Sequence, residues 1–110
     1  MSSKQSGELL NELFQVLQER KTAEPEKSYV ASLYAGGVEK IAKKIGEEAT
    51  EVVIAGLKGE DQEIISEMSD LWFHCLVLMA HRDIEPAQVL LELSNRFGRS
   101  GIEEKASRNQ

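Results

Sequence analysis

Residues 38–80, VEKIAKKIGEEATEVVIAGLKGEDQEIISEMSDLWFHCLVLMA, contain the pattern that decides the fold. Apolar residues recur in both halves of this stretch at i, i+3 and i+4, which is the spacing of an amphipathic helix. Gly59 between the halves predicts the end of the first helix, and Asp61 is placed to cap a second helix that reaches about His81. We therefore predict two helices that a short loop folds into an antiparallel hairpin.

The segment before the hairpin is also predicted to be helical. Apolar residues at helical spacing follow Ser6, a good N-cap, and predict a helix over about residues 7–21. Ser28 is placed to cap a short helix over residues 29–35, which the glycine pair at 36–37 ends.

A last helix is predicted after the hairpin. Pro86 suits its first turn, and Val89, Leu90, Leu93 and Phe97 make its apolar stripe. The predicted fold class is therefore all-α, a helical bundle with a central antiparallel helix hairpin.

Residues 71–80 are apolar nearly all round the predicted helix. Such a surface predicts burial inside a bundle or against another subunit. We expect Trp72 and Met79 to belong to the core rather than to stack on a nucleotide base.

Composition limits the function. The chain has 110 residues, 41% of them hydrophobic and 29% charged, which predicts one globular domain over residues 1–110. Its formal net charge of −6 argues against broad binding to nucleic acid, and no run is long enough to cross a membrane. The start lacks the apolar stretch of a secretory signal, and the only cysteine is Cys75, so we expect a cytoplasmic protein.

Acidic residues form two motifs in the hairpin. Glu47, Glu48 and Glu51 lie on one face of the first helix, and Glu67 and Asp70 share a face of the second. Glu51 and Glu67 each lie about two turns from Gly59, so the motifs can face each other.

Carboxylates held this close repel one another unless a cation lies between them. Oxygen ligands without a histidine or cysteine cluster favour Mg²⁺, or Mn²⁺ in its place. A bound metal ion polarises a phosphate and activates a water, which Glu47 is placed to orient or deprotonate. The alternative is that these glutamates are only a solvated helix face.

Two further features lie beside the motifs. Lys43 and Lys44 precede the acidic pair by one turn and are candidates for contact with substrate phosphate, although Lys44 can also simply pair with Glu47 or Glu48. His74 follows Asp70 by one turn and is a candidate ligand contact or a hydrogen-bonded interhelical histidine.

The sequence resembles the phosphoribosyl-ATP pyrophosphohydrolase family, part of the all-α, MazG-like nucleotide pyrophosphohydrolase superfamily. The resemblance rests on KKIGEEATE at residues 43–51 and SEMSDLWFH at 66–74. It extends to SYVASL at 28–33 and SGIEEKASR at 100–108. It implies hydrolysis of phosphoribosyl-ATP to phosphoribosyl-AMP and pyrophosphate, the second step of histidine biosynthesis.

The same resemblance implies a site and an assembly. Mg²⁺ is expected on Glu48, Glu51, Glu67 and Asp70, with Glu47 as a further catalytic carboxylate. Superfamily members form dimers or higher assemblies through such helices, so we expect a homodimer or a larger homo-oligomer.

Two other functions remain open from the sequence. A house-cleaning pyrophosphohydrolase would use the same carboxylates on other nucleoside triphosphates. A non-enzymatic interaction module would bind a partner through residues 71–80. The basic residues near the end distinguish the first alternative if they hold the phosphoribosyl group; they are Arg96, Arg99, Lys105 and Arg108. Residues 99–110 are otherwise predicted to be frayed, or ordered only by a ligand or partner.

Overall fold

A computed structural model of the chain describes residues 6–97. Within them the α-helices are α1 Ser6–Glu19, α2 Tyr29–Lys58, α3 Asp61–His81 and α4 Pro86–Phe97. This part of the chain contains no strand, and the predicted all-α class is confirmed. The predicted first helix is two residues too long, because residues 20–22 form a 3₁₀ turn after α1.

The start of α2 is fixed by a side-chain cap and a glycine bend. Ser28 Oγ accepts a hydrogen bond from the Ala31 backbone amide, as predicted. Gly37 interrupts the helix with φ 81° and ψ −177°, a conformation that is essentially limited to glycine. A Cβ at Gly36 would lie 2.9 Å from the Lys40 Cβ, so bulk is also excluded there. The predicted break at residues 36–37 is therefore present, and Gly37 divides α2 into two helical segments.

The second half of α2 and the whole of α3 form the predicted hairpin. Gly59 ends α2 in the left-handed region at φ 81°, and its amide donates to the Ala55 carbonyl. The prediction that Asp61 caps α3 was wrong. Glu60 occupies the cap position without a side-chain bond, and Asp61 is the first helical residue. At this position the Asp61 carboxylate still interacts favourably with the positive end of the helix dipole.

The core lies between α1, α2 and α3. Leu33 and Ile41 from α2, Val77 from α3 and Leu17 from α1 are almost fully buried. Burying an aliphatic side chain of this size contributes about 1.5–3 kcal/mol. These contacts hold α2 against α3 and so fix the relative height of the two acidic motifs.

Polar contacts join α1 to the end of α3. Tyr34 Oη donates a 2.8 Å hydrogen bond to the Leu17 carbonyl, and its ring stacks on His81. Lys21 Nζ lies 2.8 Å from Asp83 Oδ1, which also accepts from Gln18. We call Tyr34, Lys21, Gln18, His81 and Asp83 the Asp83 corner.

Part of the apolar surface stays exposed. Trp72 is 60% exposed, so the prediction that it belongs to the core was wrong for this chain. It lines a groove between α1, α3 and α4 with Leu10, Val89 and Leu93. Met79, in contrast, packs partly buried against the core. Among residues 6–97, no helix combines the length and hydropathy needed to span a membrane.

Candidate active site

Three carboxylates converge where α2 packs on α3. Glu48 of α2 and Glu67 and Asp70 of α3 each contribute an oxygen, and the three oxygens lie within 4.8 Å of one another. Glu67 and Asp70 share a face because they are three residues apart on one helix. The hairpin then brings Glu48 opposite them. We call these three residues the carboxylate cluster.

Glu51 lies at the edge of the carboxylate cluster. It is three residues after Glu48 and therefore on the same face of α2. Its side chain is exposed, but its charge acts on Glu67. It is thus close to the cluster without belonging to the tightest group.

The electrostatics of Glu67 reflect this crowding. Partial loss of solvent, followed by the charges of Glu51, Asp70 and Glu48, raises the pKa of Glu67 above its usual value. Both causes disfavour the ionised carboxylate. A divalent cation among these oxygens would reverse the local sign and favour ionisation.

Lys44 and Glu47 form a second charged group beside the cluster. Lys44 Nζ lies 3.3 Å from Glu47 Oε1 and 3.9 Å from Glu48 Oε2. The hydrogen bond to Glu47 is the main cause that raises the pKa of Lys44, and Tyr29 is the next. Lys43, the other lysine of the predicted pair, is exposed.

His74 is buried, with only 6% of it exposed, and its ring has two protein partners. Its Nδ1 lies 2.7 Å from the Asp70 carbonyl oxygen, and its Nε2 lies 2.8 Å from Tyr29 Oη. The hydrogen-bonded interhelical histidine was one of the two interpretations of the sequence. Direct contact with a ligand stays a prediction.

Tyr29 was not singled out from the sequence. It lies 45 residues from His74 along the chain. Its position depends on the bend at Gly37, which helical periodicity does not reveal. The only local signal is that it directly follows the capping residue Ser28.

The predicted basic residues near the end are only partly described. Arg96 lies on α4, where its Nε is 2.8 Å from Glu92 Oε2. Arg99, Lys105 and Arg108 lie outside the described residues, as does the rest of the predicted tail.

Comparison with known proteins identifies relatives of this chain. Residues 10–97 match the family described as phosphoribosyl-ATP pyrophosphohydrolase. A protein named phosphoribosyl-ATP pyrophosphatase from Methylococcus capsulatus is 58% identical over 101 residues, which cover 92% of this chain and 96% of the relative. A protein of the same name from Geobacter sulfurreducens is 55% identical over 103 residues, or 94% of this chain and 95% of the relative.

A third relative with this name, from Geotalea daltonii, is 53% identical over 105 residues, covering 96% of this chain and 99% of its own. The matched region contains all three residues of the carboxylate cluster. Identity at this level over nearly the whole length shows common descent and a common fold. The chain therefore belongs to the phosphoribosyl-ATP pyrophosphohydrolase family.

Proposed function

We propose that this protein hydrolyses phosphoribosyl-ATP to phosphoribosyl-AMP and pyrophosphate in a Mg²⁺-dependent reaction, with Mn²⁺ as a substitute ion. The observation that carries the proposal is the convergence of Glu48, Glu67 and Asp70 from two helices. Relatives named phosphoribosyl-ATP pyrophosphatase support the substrate. The reaction would be the second step of histidine biosynthesis.

The donor set fits a hard divalent cation. Glu48, Glu67 and Asp70 offer three carboxylate oxygens, with Glu51 next to them. Carboxylate oxygens suit Mg²⁺ and Mn²⁺. Loss of solvent and then the neighbouring carboxylates raise the pKa of Glu67, and a cation would offset the repulsion between these carboxylates. When bound, the ion polarises a phosphate and lowers the pKa of a coordinated water.

The remaining charged residues orient the reactants. Glu47 is more exposed than Glu48, and it orients the attacking water or accepts its proton. Lys44 is within reach of Glu48, and it exchanges part of this pairing for a substrate phosphate once Glu48 is engaged. Lys43 serves the same phosphates from the neighbouring position.

Further contacts to the substrate come from Arg96 and Arg99. A phosphoribosyl group carries its own phosphate, for which arginine is a suitable partner because it donates two parallel hydrogen bonds. We place Arg96 and Arg99 in this role, in which Arg96 exchanges its pairing with Glu92 for the substrate phosphate. His74 supports the Asp70 side of the site through its bond to the Asp70 carbonyl oxygen.

The active form is a homodimer or a larger homo-oligomer in the cytoplasm. Large apolar side chains on α3 and α4 are exposed, among them Ile65, Trp72, Leu93 and Phe97. Contiguous apolar patches of this kind mark interaction surfaces. The Trp72→Glu variant is expected to lower the molar mass measured by light scattering to that of one chain. A wild-type protein that is already monomeric at high concentration would exclude this assembly.

The test of function is pyrophosphate release from phosphoribosyl-ATP, measured with Mg²⁺ and again with excess EDTA. We expect release only with the metal ion, and much slower release from ATP and dCTP. Faster release from dCTP would favour the house-cleaning pyrophosphohydrolase.

The Glu51→Gln and Asp70→Asn variants separate the enzyme from an interaction module. Both variants are expected to fold, because each removes a repelling charge, and to lose activity. Unchanged release from both variants would refute the proposed mechanism.

A further inference from the structure

The bend at Gly37 returns the start of α2 to the neighbourhood of the carboxylate cluster. In a straight helix, Tyr29 and Lys44 would lie about 22 Å apart along the axis. Instead, Tyr29 is among the groups that raise the pKa of Lys44. The bend also lets the Tyr29 hydroxyl reach His74 on α3 at 2.8 Å.

The hydrogen bonds of His74 determine its tautomer. A carbonyl oxygen only accepts, so Nδ1 carries the proton and donates to Asp70 O at 2.7 Å. In the neutral ring, Nε2 is then an acceptor, and the Tyr29 hydroxyl donates to it. A directed chain therefore runs from Tyr29 through His74 to the backbone of Asp70.

Burial makes this chain sensitive to the loss of Tyr29. His74 is almost fully buried, and its ring makes T-shaped contacts with the rings of Tyr29 and Phe73. A buried ring nitrogen without a hydrogen-bond partner is unfavourable, so the ring would turn to find another. Turning the ring would weaken the hydrogen bond from Nδ1 to the backbone of Asp70, whose carboxylate belongs to the cluster.

We propose that Tyr29 is a positioning residue, which acts through His74 to hold Asp70 where its carboxylate binds the divalent cation. The proposal rests on the function proposed above. It differs from a purely structural role for the Tyr29 to His74 contact, which would affect folding stability and leave cation affinity unchanged. Partners beyond the ligands themselves are known to tune metal affinity in this way.

The test compares Tyr29→Phe with Tyr34→Phe in the full chain. Each variant removes one hydroxyl that makes a 2.8 Å hydrogen bond, but Tyr34 donates to the Leu17 carbonyl in the Asp83 corner. The readouts are the Mn²⁺ dissociation constant, measured by electron paramagnetic resonance, and the unfolding temperature without metal. Neither readout requires substrate.

We expect Tyr29→Phe to weaken Mn²⁺ binding about 3- to 10-fold, less than the 10- to 100-fold typical of a direct partner of a ligand. Tyr34→Phe should leave the dissociation constant unchanged. Because Tyr29 acts through His74, Tyr29→Phe should have little effect once His74 is replaced. The Mn²⁺ dissociation constant of the double variant Tyr29→Phe, His74→Asn should therefore differ from that of His74→Asn by less than about twofold.

Three results would decide against the proposal. Unchanged Mn²⁺ affinity in Tyr29→Phe, with normal binding by the wild type, overturns the role of Tyr29 and leaves the proposed function intact. An equal loss of affinity in Tyr34→Phe also overturns it, because the effect would be general. Absence of Mn²⁺ binding by the wild type overturns the proposed function itself.

Discussion

The carboxylate cluster and the Asp83 corner place acidic side chains in opposite environments. Hydrogen bonds from Lys21 and then Gln18 lower the pKa of Asp83. Loss of solvent and then the charges of nearby carboxylates raise the pKa of Glu67. The Asp83 corner therefore favours the ionised form of its carboxylate, whereas the carboxylate cluster disfavours the ionised form of Glu67. A region in which the folded chain holds like charges close together is a candidate for ligand binding, because a ligand can supply the opposite charge.

The largest expected effect comes from breaking the cluster. Asp70→Asn keeps the shape of the side chain but removes a ligand charge, so kcat/KM for phosphoribosyl-ATP should fall by more than about 100-fold. Asp61→Asn is the matched control on the same helix, because Asp61 is exposed and is not among the charges that act on Glu67. A steady-state pyrophosphate assay compares the two. Equal losses would show that acidity of α3 matters in general and the cluster does not.

The next effect concerns the core that holds the two helices together. Leu33→Ala leaves a cavity at a fully buried position and should lower the free energy of unfolding by about 2–5 kcal/mol. Leu57 is 84% exposed and provides the comparison. Leu57→Ala should change the free energy of unfolding by less than about 0.5 kcal/mol. Urea denaturation measures both. Similar values for the two variants would contradict the described packing.

A smaller effect is expected at the Asp83 corner. Tyr34→Phe removes the hydrogen bond to the Leu17 carbonyl and should cost about 1 kcal/mol of stability. Activity should stay within twofold of wild type, because the corner does not touch the cluster. Urea denaturation and the pyrophosphate assay give the two values. Loss of activity without loss of stability would reverse the roles assigned to the two regions.

The smallest effects are of opposite sign in the two regions. In metal-free protein at pH 7, Glu67→Gln should raise the unfolding temperature and Asp83→Asn should lower it. Asparagine tolerates the left-handed backbone of Asp83, at φ 57°, so this variant isolates the charge.

Their pH dependence separates the two causes. The folded-state pKa of Glu67 is raised, so its unfavourable contribution is full above that pKa and is gone below about pH 4.3, the unfolded value. The folded-state pKa of Asp83 is lowered, so its favourable contribution persists down to about pH 3.9 and is lost below. Thermal unfolding of both variants and wild type between pH 3 and 8 tests this. Parallel curves for the two variants would contradict it.

Local rules were enough to predict most of the hairpin. Apolar periodicity, the left-handed Gly59 and the cap at Ser28 depend on neighbours within one or two turns. Counting turns from Gly59 predicted that the two acidic motifs face each other, with Glu51 at the height of Glu67. The structure brings the motifs together, but Glu48 and not Glu51 completes the tightest group with Glu67 and Asp70.

The remaining features depend on contacts that periodicity does not encode. A glycine pair predicts a break, but the angle at Gly37, and with it the contact of Tyr29 with His74, is set by packing. An apolar pattern does not say which surface is covered, which is why Trp72 was assigned to the core. The choice between Asp61 and Glu60 as the cap lay within the usual uncertainty of one residue at helix ends.

The central claim is that the repulsion within the carboxylate cluster is relieved by a divalent cation. Thermal unfolding of wild type and Glu67→Gln, with and without millimolar Mg²⁺, tests it most directly. Without metal the variant should be the more stable protein. Because a cation that binds only the folded state stabilises it, Mg²⁺ should raise the unfolding temperature of the wild type and reverse the order. A wild-type unfolding temperature that does not respond to Mg²⁺, or an equal rise in Glu67→Gln, would contradict the claim.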